Sequence, residues 1–284
     1  MYDKKIQWIY SLLETLLSIV RIFTNTTFKK TKQITKRGNR CLVMGNGPSL
    51  IDSLEKNKEK LSEMDLIAVN FMGLSPEYDI YKPSIYILCD PAFWFDNISS
   101  ALEARVLEFY EAIVRKTDWP LQVYIPVQAH KEEKRKAILS QNRNISLHYY
   151  NKTKFEGYTC INHWVYNKQW GMPRTQNVLA AALMLTIYSG YKEIYLAGAD
   201  TDSIRNLWVD ENNRLQYNDF HYYKDSKENI ARTLPSKIQD QCSSFYFVFK
   251  SYTSIEEYAG SRNVKIYNTG MKSFIDAFEK KEYI

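Results

Sequence analysis

The stretch CLVMGNGPSL, residues 41–50, decides the fold. Four apolar residues in a row, Cys41 to Met44, are too few for a helix and suit a strand buried on both faces. The chain then turns through Gly45-Asn46-Gly47-Pro48-Ser49 and enters a segment, 51–62, with helical spacing of its apolar positions. Strand, glycine turn and helix in this order form the first half of a βαβ unit. In an open α/β sheet, ligands bind beyond the carboxyl ends of the strands. Glycines there let the backbone approach a phosphate, and a helix N-terminus offers amide donors. Asn46 and Ser49 add neutral hydrogen-bonding groups. The stretch is neither the dinucleotide fingerprint nor a Walker loop, because no Lys-Ser/Thr follows the second glycine.

Working outward, the pattern of short apolar runs and helical segments continues. Strands are expected at Leu66–Asn70, Ser84–Cys89, Gln122–Pro126, Ser146–Tyr150, Glu193–Ala197 and Val264–Tyr267. Helices are expected near 98–116, 129–139, 176–189, 240–259 and 272–280. This alternation predicts an α/β fold, a single Rossmann-like, mostly parallel sheet flanked by helices. Residues 201–235 break the pattern. They are polar, rich in Asn and Asp and weakly periodic, as expected of a lid or binding insertion.

Polar residues recur at the strand ends: Asn70 after the second, Asp90 after the third, Gly198 and Asp200 after Glu193–Ala197. On successive strands of one sheet they line one crevice. Asp200 and Asp202 also form a D-x-D pair, read either as metal ligands or as one strand-end and one solvated carboxylate. Arg174 stands at a helix start, where it pairs with an anion or stays exposed.

The 284 residues carry a formal charge of +6, and the surplus is local. Residues 1–40 hold nine basic against two acidic residues, a surplus of seven that exceeds the whole chain's. A nucleic-acid-binding face spread over the body is therefore not expected. Within that segment Ile6, Ile9, Leu13, Leu16, Leu17 and Val20 recur at helical spacing, with Trp8 and Tyr10 near the start and KKTKQITKRGNR following. Such a helix suits an anionic headgroup layer; packing on the body or an oligomer contact is one alternative, and a true span, for which the run is short and polar, is the other. The organisation expected is a membrane-association segment, 1–38, and an α/β domain, 39–284, with the insertion 201–235. The four cysteines show no C-x-x-C spacing and read as reduced thiols of a cytoplasmic protein, here peripheral on the inner face of the plasma membrane.

Gly45–Leu50, Asn70 and the run GYKEIYL (190–196) followed by Gly198 and Asp200 resemble the bacterial sialyltransferases of glycosyltransferase family 42. They are also similar to a wider set of proteins related to archaeal hydroxymethylpterin diphosphokinase. The resemblance covers residues 40–200. It implies a metal-independent, inverting transfer from a CMP-activated nonulosonic sugar, such as sialic acid, to a glycan or glycolipid acceptor, with no cofactor beyond the donor. Carried over, the donor-site positions are Gly45, Asn46, Gly47, Ser49, Asn70, Asp90, Thr175, Gln176, Gly198, Asp200 and Tyr222. The resemblance assigns the general base to a histidine of the lid region. Among His130, His148, His163 and His221, chain order favours His221, with Asp202 or Asp219 as the alternative base, and His163 is a candidate for lining an acceptor site. Two family tyrosines that stabilise the leaving phosphate fall at Asp202 and Trp208; Tyr217, Tyr222 and Tyr223 stand near enough in sequence to replace them. The alternatives implied are an ATP-dependent diphosphokinase or a non-catalytic nucleotide- or glycan-binding subunit.

Overall fold

The computed structural model describes residues 4–95, 98–218 and 232–284. The chain opens with helix α1 (Lys4–Asn25), then β1 (Arg40–Met44), α2 (Leu50–Lys56), α3 (Lys58–Leu61), β2 (Asp65–Val69), α4 (Pro76–Tyr81) and β3 (Ile85–Ile87). It continues through α5 (Ser100–Lys116), β4 (Leu121–Pro126), α6 (Glu133–Leu139), β5 (Ile145–Tyr150), α7 (Thr159–Lys168), α8 (Val178–Tyr188) and β6 (Glu193–Ala197). Three short strands follow, β7 (Leu207–Val209), β8 (Leu215–Tyr217) and β9 (Arg232–Leu234), before α9 (Ile238–Ser261), β10 (Lys265–Asn268) and β11 (Glu279–Lys280).

Eight strands form one sheet in the order β11-β10-β6-β1-β2-β3-β4-β5, with every pair parallel. The expected α/β, Rossmann-like sheet is present. Strand residues alternate between two cores. Cys41, Val43, Ile67, Val69, Ile194 and Leu196 meet α8 and α9 on one face. Leu42, Met44, Leu66, Ala68, Tyr195 and Ala197 meet the face that carries α2 and α5. Both faces are covered, which is why the strands read as continuous apolar runs. The segment VLAAALMLTI of α8 is buried throughout because it lies between the sheet and α9.

The order fixes the location of the crevice. From β1 the chain lays down β2 to β5 in one direction, then returns to place β6 on the other side of β1. Successive connections therefore leave opposite faces of the sheet at β1 and β6, the topology at which open α/β sheets take a ligand beyond the carboxyl ends of the strands.

Helices α4 and α7 form where none is expected, and two further regions differ from the expectation. The insertion is not irregular throughout: β7, β8 and β9 pair into an antiparallel sheet, with Trp208 opposite Gln216 and Gln216 opposite Thr233. Asp210 stabilises its first turn by accepting from the amides of Asn212 and Arg214. The helix expected over 272–280 does not form. Ser273 donates its hydroxyl to Ala199 O (2.6 Å) and accepts from Ile275 N, and Phe274 N bonds Asp200 O. These contacts draw the backbone against the end of β6 and out of helical geometry. Ile275 and Phe278 fill the core, and β11 closes the sheet edge.

Candidate functional site

The loop after β1 is folded onto the end of β6. Gly45 N donates to Ala197 O (2.7 Å), Gly47 N to Gly198 O (2.9 Å) and Ser49 N to the Asp200 carboxylate (3.0 Å). The two chains approach too closely for side chains. A Cβ on Gly45 would lie 2.4 Å from Gly198 O, and one on Gly47 2.1 Å from Asp200 Oδ2. Gly198 reciprocates: its φ is +61°, and a Cβ there would lie 2.6 Å from Gly45 O. Chain packing therefore requires these glycines before any ligand is considered. Three loop amides already have partners, so a ligand in the crevice meets side chains.

Those side chains converge from four strand ends. Ser49 Oγ, at the end of β1, is buried with no hydrogen-bond partner. Asn70 follows β2 in a left-handed conformation, φ +46°; its Oδ1 is also buried and unpartnered. The Tyr86 hydroxyl holds the turn by donating to Asn70 O and accepting from Gly73 N (2.8 Å). Asn46 Nδ2 reaches Val69 O at 3.4 Å, tying the first strand end to the second. Asp200 follows β6 and is buried. The fourth contribution, from β10, was not anticipated. Asn268 is fully buried, its Oδ1 accepting from Gly270 N and its Nδ2 reaching Ala199 O. A side chain on Gly270 would come within 3.3 Å of Ser49 Oγ and 3.6 Å of Asp200 Oδ1. The sequence signal was there: Asn268-Thr269-Gly270 repeats the small polar pattern of the other strand ends.

Beside this crevice lies a cavity of about 380 Å³ between the start of α8, the first turns of α9 and the insertion's sheet. Gln176, Asn177, Thr201, Tyr217, Ser244 and Phe245 are among its lining residues, and every lining residue is neutral. Asn177 caps α8, accepting from Ala180 N, and donates to the Tyr252 hydroxyl (2.7 Å). Burial pushes the Tyr252 hydroxyl above its ordinary value, against the opposing pull of hydrogen bonds with Asn177 and Thr201. Gln176 Nε2 donates to Ser244 Oγ (2.9 Å), bridging α8 to α9. Thr201 has φ +49°. A β-branched residue in that region costs of order 1–3 kcal/mol and is found where the surroundings over-determine it.

The remaining expected positions divide. Burial pushes the Cys89 thiol up, against the opposing pull of Lys152, Tyr150 and Thr175. Asp90 lies at the same edge of the sheet, two strands from β1, exposed and capping the turn Pro91–Phe93 through Ala92 N (2.9 Å). The two carboxylates of the D-x-D pair have different partners: Asp200 accepts from Ser49 N, while Asp202 is 4.0 Å from Arg205 Nε. Arg174 lies over the Phe247 ring at 4.0 Å. His163 packs on Tyr258 and Tyr166, neither of which lines the cavity. His148 bonds Ser146 within β5, and burial lowers its pKa. His130 packs on Tyr149. His221, Tyr222 and Tyr223 lie outside the described residues. Tyr217 does line the cavity.

No protein-family model matches the chain, and no curated protein matches it. Among solved structures, the Maf glycosyltransferase of Magnetospirillum magneticum AMB-1 aligns with 95% of the chain at 11% identity and a TM-score of 0.47. The chain spans 38% of the length of that protein. At this distance, function rests on the site itself.

Proposed function

We propose that the chain is a glycosyltransferase that draws on a nucleotide-activated sugar. The observation that carries this reading is the pairing of two unlike compartments at the switch point. One is a crevice where Ser49 Oγ and Asn70 Oδ1 are buried without protein partners. The other is a neutral cavity lined by amides, hydroxyls and the rings of Tyr217 and Phe245. Several buried polar atoms among the described residues lack partners, and these two are the ones that a ligand at the strand ends would satisfy. The cavity falls within the roughly 300–1,000 Å³ of small-molecule sites, and its lining suits a sugar's hydroxyls and apolar ring face.

In this reading the nucleoside end of the donor lies over β1, β2 and β6, contacting Asn46, Ser49 and Asn70. Asp200 and Asn268 hold the loops in place. The sugar enters the cavity beneath the insertion. The acceptor, a glycan or glycolipid hydroxyl, attacks the anomeric carbon, the bond to the nucleotide phosphate breaks and the configuration inverts. The acceptor's proton passes to a base on the insertion. His221 is the only histidine of 201–235, and imidazole titrates in the right range. A CMP-linked nonulosonic acid is the donor we infer, on the family resemblance of the crevice residues.

The test is binding followed by turnover. CMP, CDP, UDP, GDP and ATP are compared by thermal shift with and without Mg²⁺, since specific binding stabilises the fold by mass action. CMP should raise Tm without Mg²⁺, and Ser49→Ala and Asn70→Ala should each weaken it about tenfold, the loss of one hydrogen bond of about 1.4 kcal/mol. With CMP-sialic acid as donor, His221→Ala should lower turnover by about 10²–10⁴-fold. Stabilisation by Mg²⁺-ATP alone would replace this proposal with a diphosphokinase. Nucleotide binding with no transfer to any acceptor would favour a binding subunit.

A further inference from the structure

Helix α1 sits on the body by its polar side. Thr15 and Ser18 are buried: Ser18 Oγ donates to Glu156 O and accepts from Glu156 N (both 3.0 Å), and Thr15 Oγ1 accepts from Tyr158 N. Ile22 alone of its large apolar side chains is buried beside them. The apolar stripe read from the sequence, Ile6, Ile9, Leu13, Leu16, Leu17 and Val20, faces outward together with Phe23, which is 74% exposed. A helix whose apolar side serves folding turns that side inward; this one does the reverse.

Between Ile6 and Phe28 the outward side carries no unpaired charge. Glu14 and Arg21 are the only charged residues between Ile6 and Phe28. They pair with each other at 3.5 Å, and Glu14 also meets Lys154 on the body at 3.4 Å. Aromatic rings extend the surface beyond the helix. Phe28 packs on Phe23 and on Trp170, and Trp170 on Trp164 of α7, which is itself 52% exposed. At the other end of α1, Trp8 packs on Tyr158, the residue preceding α7. The 22 residues of α1 give this surface a length of about 33 Å. Lysines stand beside it: Lys29 and Lys30 follow Phe28, Lys32 is close behind, all exposed, and Lys168 lies over the Trp164 ring. No helix among the described residues is long and apolar enough to cross a membrane.

We propose that this combined face of α1 and α7 docks in the headgroup layer of an anionic membrane, with α1 lying in the plane. The charge pattern selects this occupant. An uncharged apolar strip with Trp and Tyr rings and lysines beside it matches an interface where apolar tails meet anionic headgroups. The anchor is thus a face shared by the terminal helix and the body, and Trp164 and Lys168 belong to it although neither lies in the basic N-terminal segment. The proposal does not depend on the catalytic reading, because its readout is partitioning.

Full-length protein is floated with phosphatidylcholine vesicles with and without phosphatidylglycerol. Flotation should require phosphatidylglycerol and weaken with added salt. Leu13→Gln with Leu17→Gln should abolish it, and both side chains are exposed, so Tm should stay unchanged. Replacing Lys29, Lys30 and Lys32 by Gln should lower partitioning roughly a hundredfold at low salt. Trp164→Ala should weaken flotation although it leaves α1 intact. Flotation indifferent to phosphatidylglycerol, or unaffected by all three variants, would overturn the proposal. So would a vesicle-free dimer that dissociates in the Leu13→Gln, Leu17→Gln protein and never floats.

Discussion

Replacing Gly198 by alanine tests whether the loop after β1 and the end of β6 are one packed unit. The substitution acts in two ways. At φ +61° an alanine sits in the left-handed region, which costs about 1–2 kcal/mol for a residue with a Cβ. The new methyl would also lie 2.6 Å from Gly45 O and 2.8 Å from Leu50 Cβ, so the loop must move. Overpacking of this kind adds about 1–3 kcal/mol. Gly190 isolates the first effect. Its φ is +79°, but a Cβ there would meet only Lys36 Nζ, at an ordinary 3.7 Å. Gly190→Ala should therefore lose only the conformational part. The two variants should differ by about 1–3 kcal/mol, or roughly 2–12 °C in Tm at about 2–4 °C per kcal/mol for a chain of this size. The assay is calorimetry of both proteins with and without CMP. Gly198→Ala should also lose the nucleotide-induced shift, because the displaced loop carries Ser49, while Gly190→Ala should keep it. Equal melting temperatures for the two variants would refute the close-approach argument.

Asp65 is fully buried and accepts from Arg37 N, Arg37 Nε and the Tyr191 hydroxyl (2.9, 3.2 and 2.7 Å). Asp65→Ala should cost about 2–4 kcal/mol, measured by urea unfolding, because it strands donors at the amino ends of the strands; a loss below about 0.5 kcal/mol would contradict that. Tyr86→Phe should destabilise the fold by about 1–3 kcal/mol by releasing Asn70 O and Gly73 N, and should weaken nucleotide binding by loosening Asn70; calorimetry and titration check both. Cys160 and Cys242 are exposed, whereas Cys41 and Cys89 are buried and burial pushes their thiols up. Mass spectrometry after brief alkylation at pH 8 should find the first pair modified and the second intact until denaturant is added. Early modification of Cys89 would show that the carboxyl end of β3 opens.

Much of the architecture was legible because its signal is local. Apolar runs such as Cys41–Met44 and Leu66–Val69 announce strands buried on both faces, and the small polar residues that end them announce turns at one edge of a sheet. The stripe from Ile6 to Val20 was legible for the same reason: helical periodicity needs no knowledge of the partner. The direction in which that stripe faces needs the partner. Ser18 and Thr15 turn toward the body because backbone groups of Glu156 and Tyr158, some 140 residues away, offer them hydrogen bonds. Distance along the chain also concealed the use of the glycine loop. Its amides go to Ala197, Gly198 and Asp200, so the glycines first serve a close chain crossing. The segment 272–280 had a helical pattern, yet Ser273 and Phe274 bond the end of β6 instead. Asn268 and Gly270 joined the crevice only when β10 settled beside β6. A sequence carries the periodicity of each element, whereas the pairing of a polar group is decided by whatever the folded chain brings within about 3 Å of it.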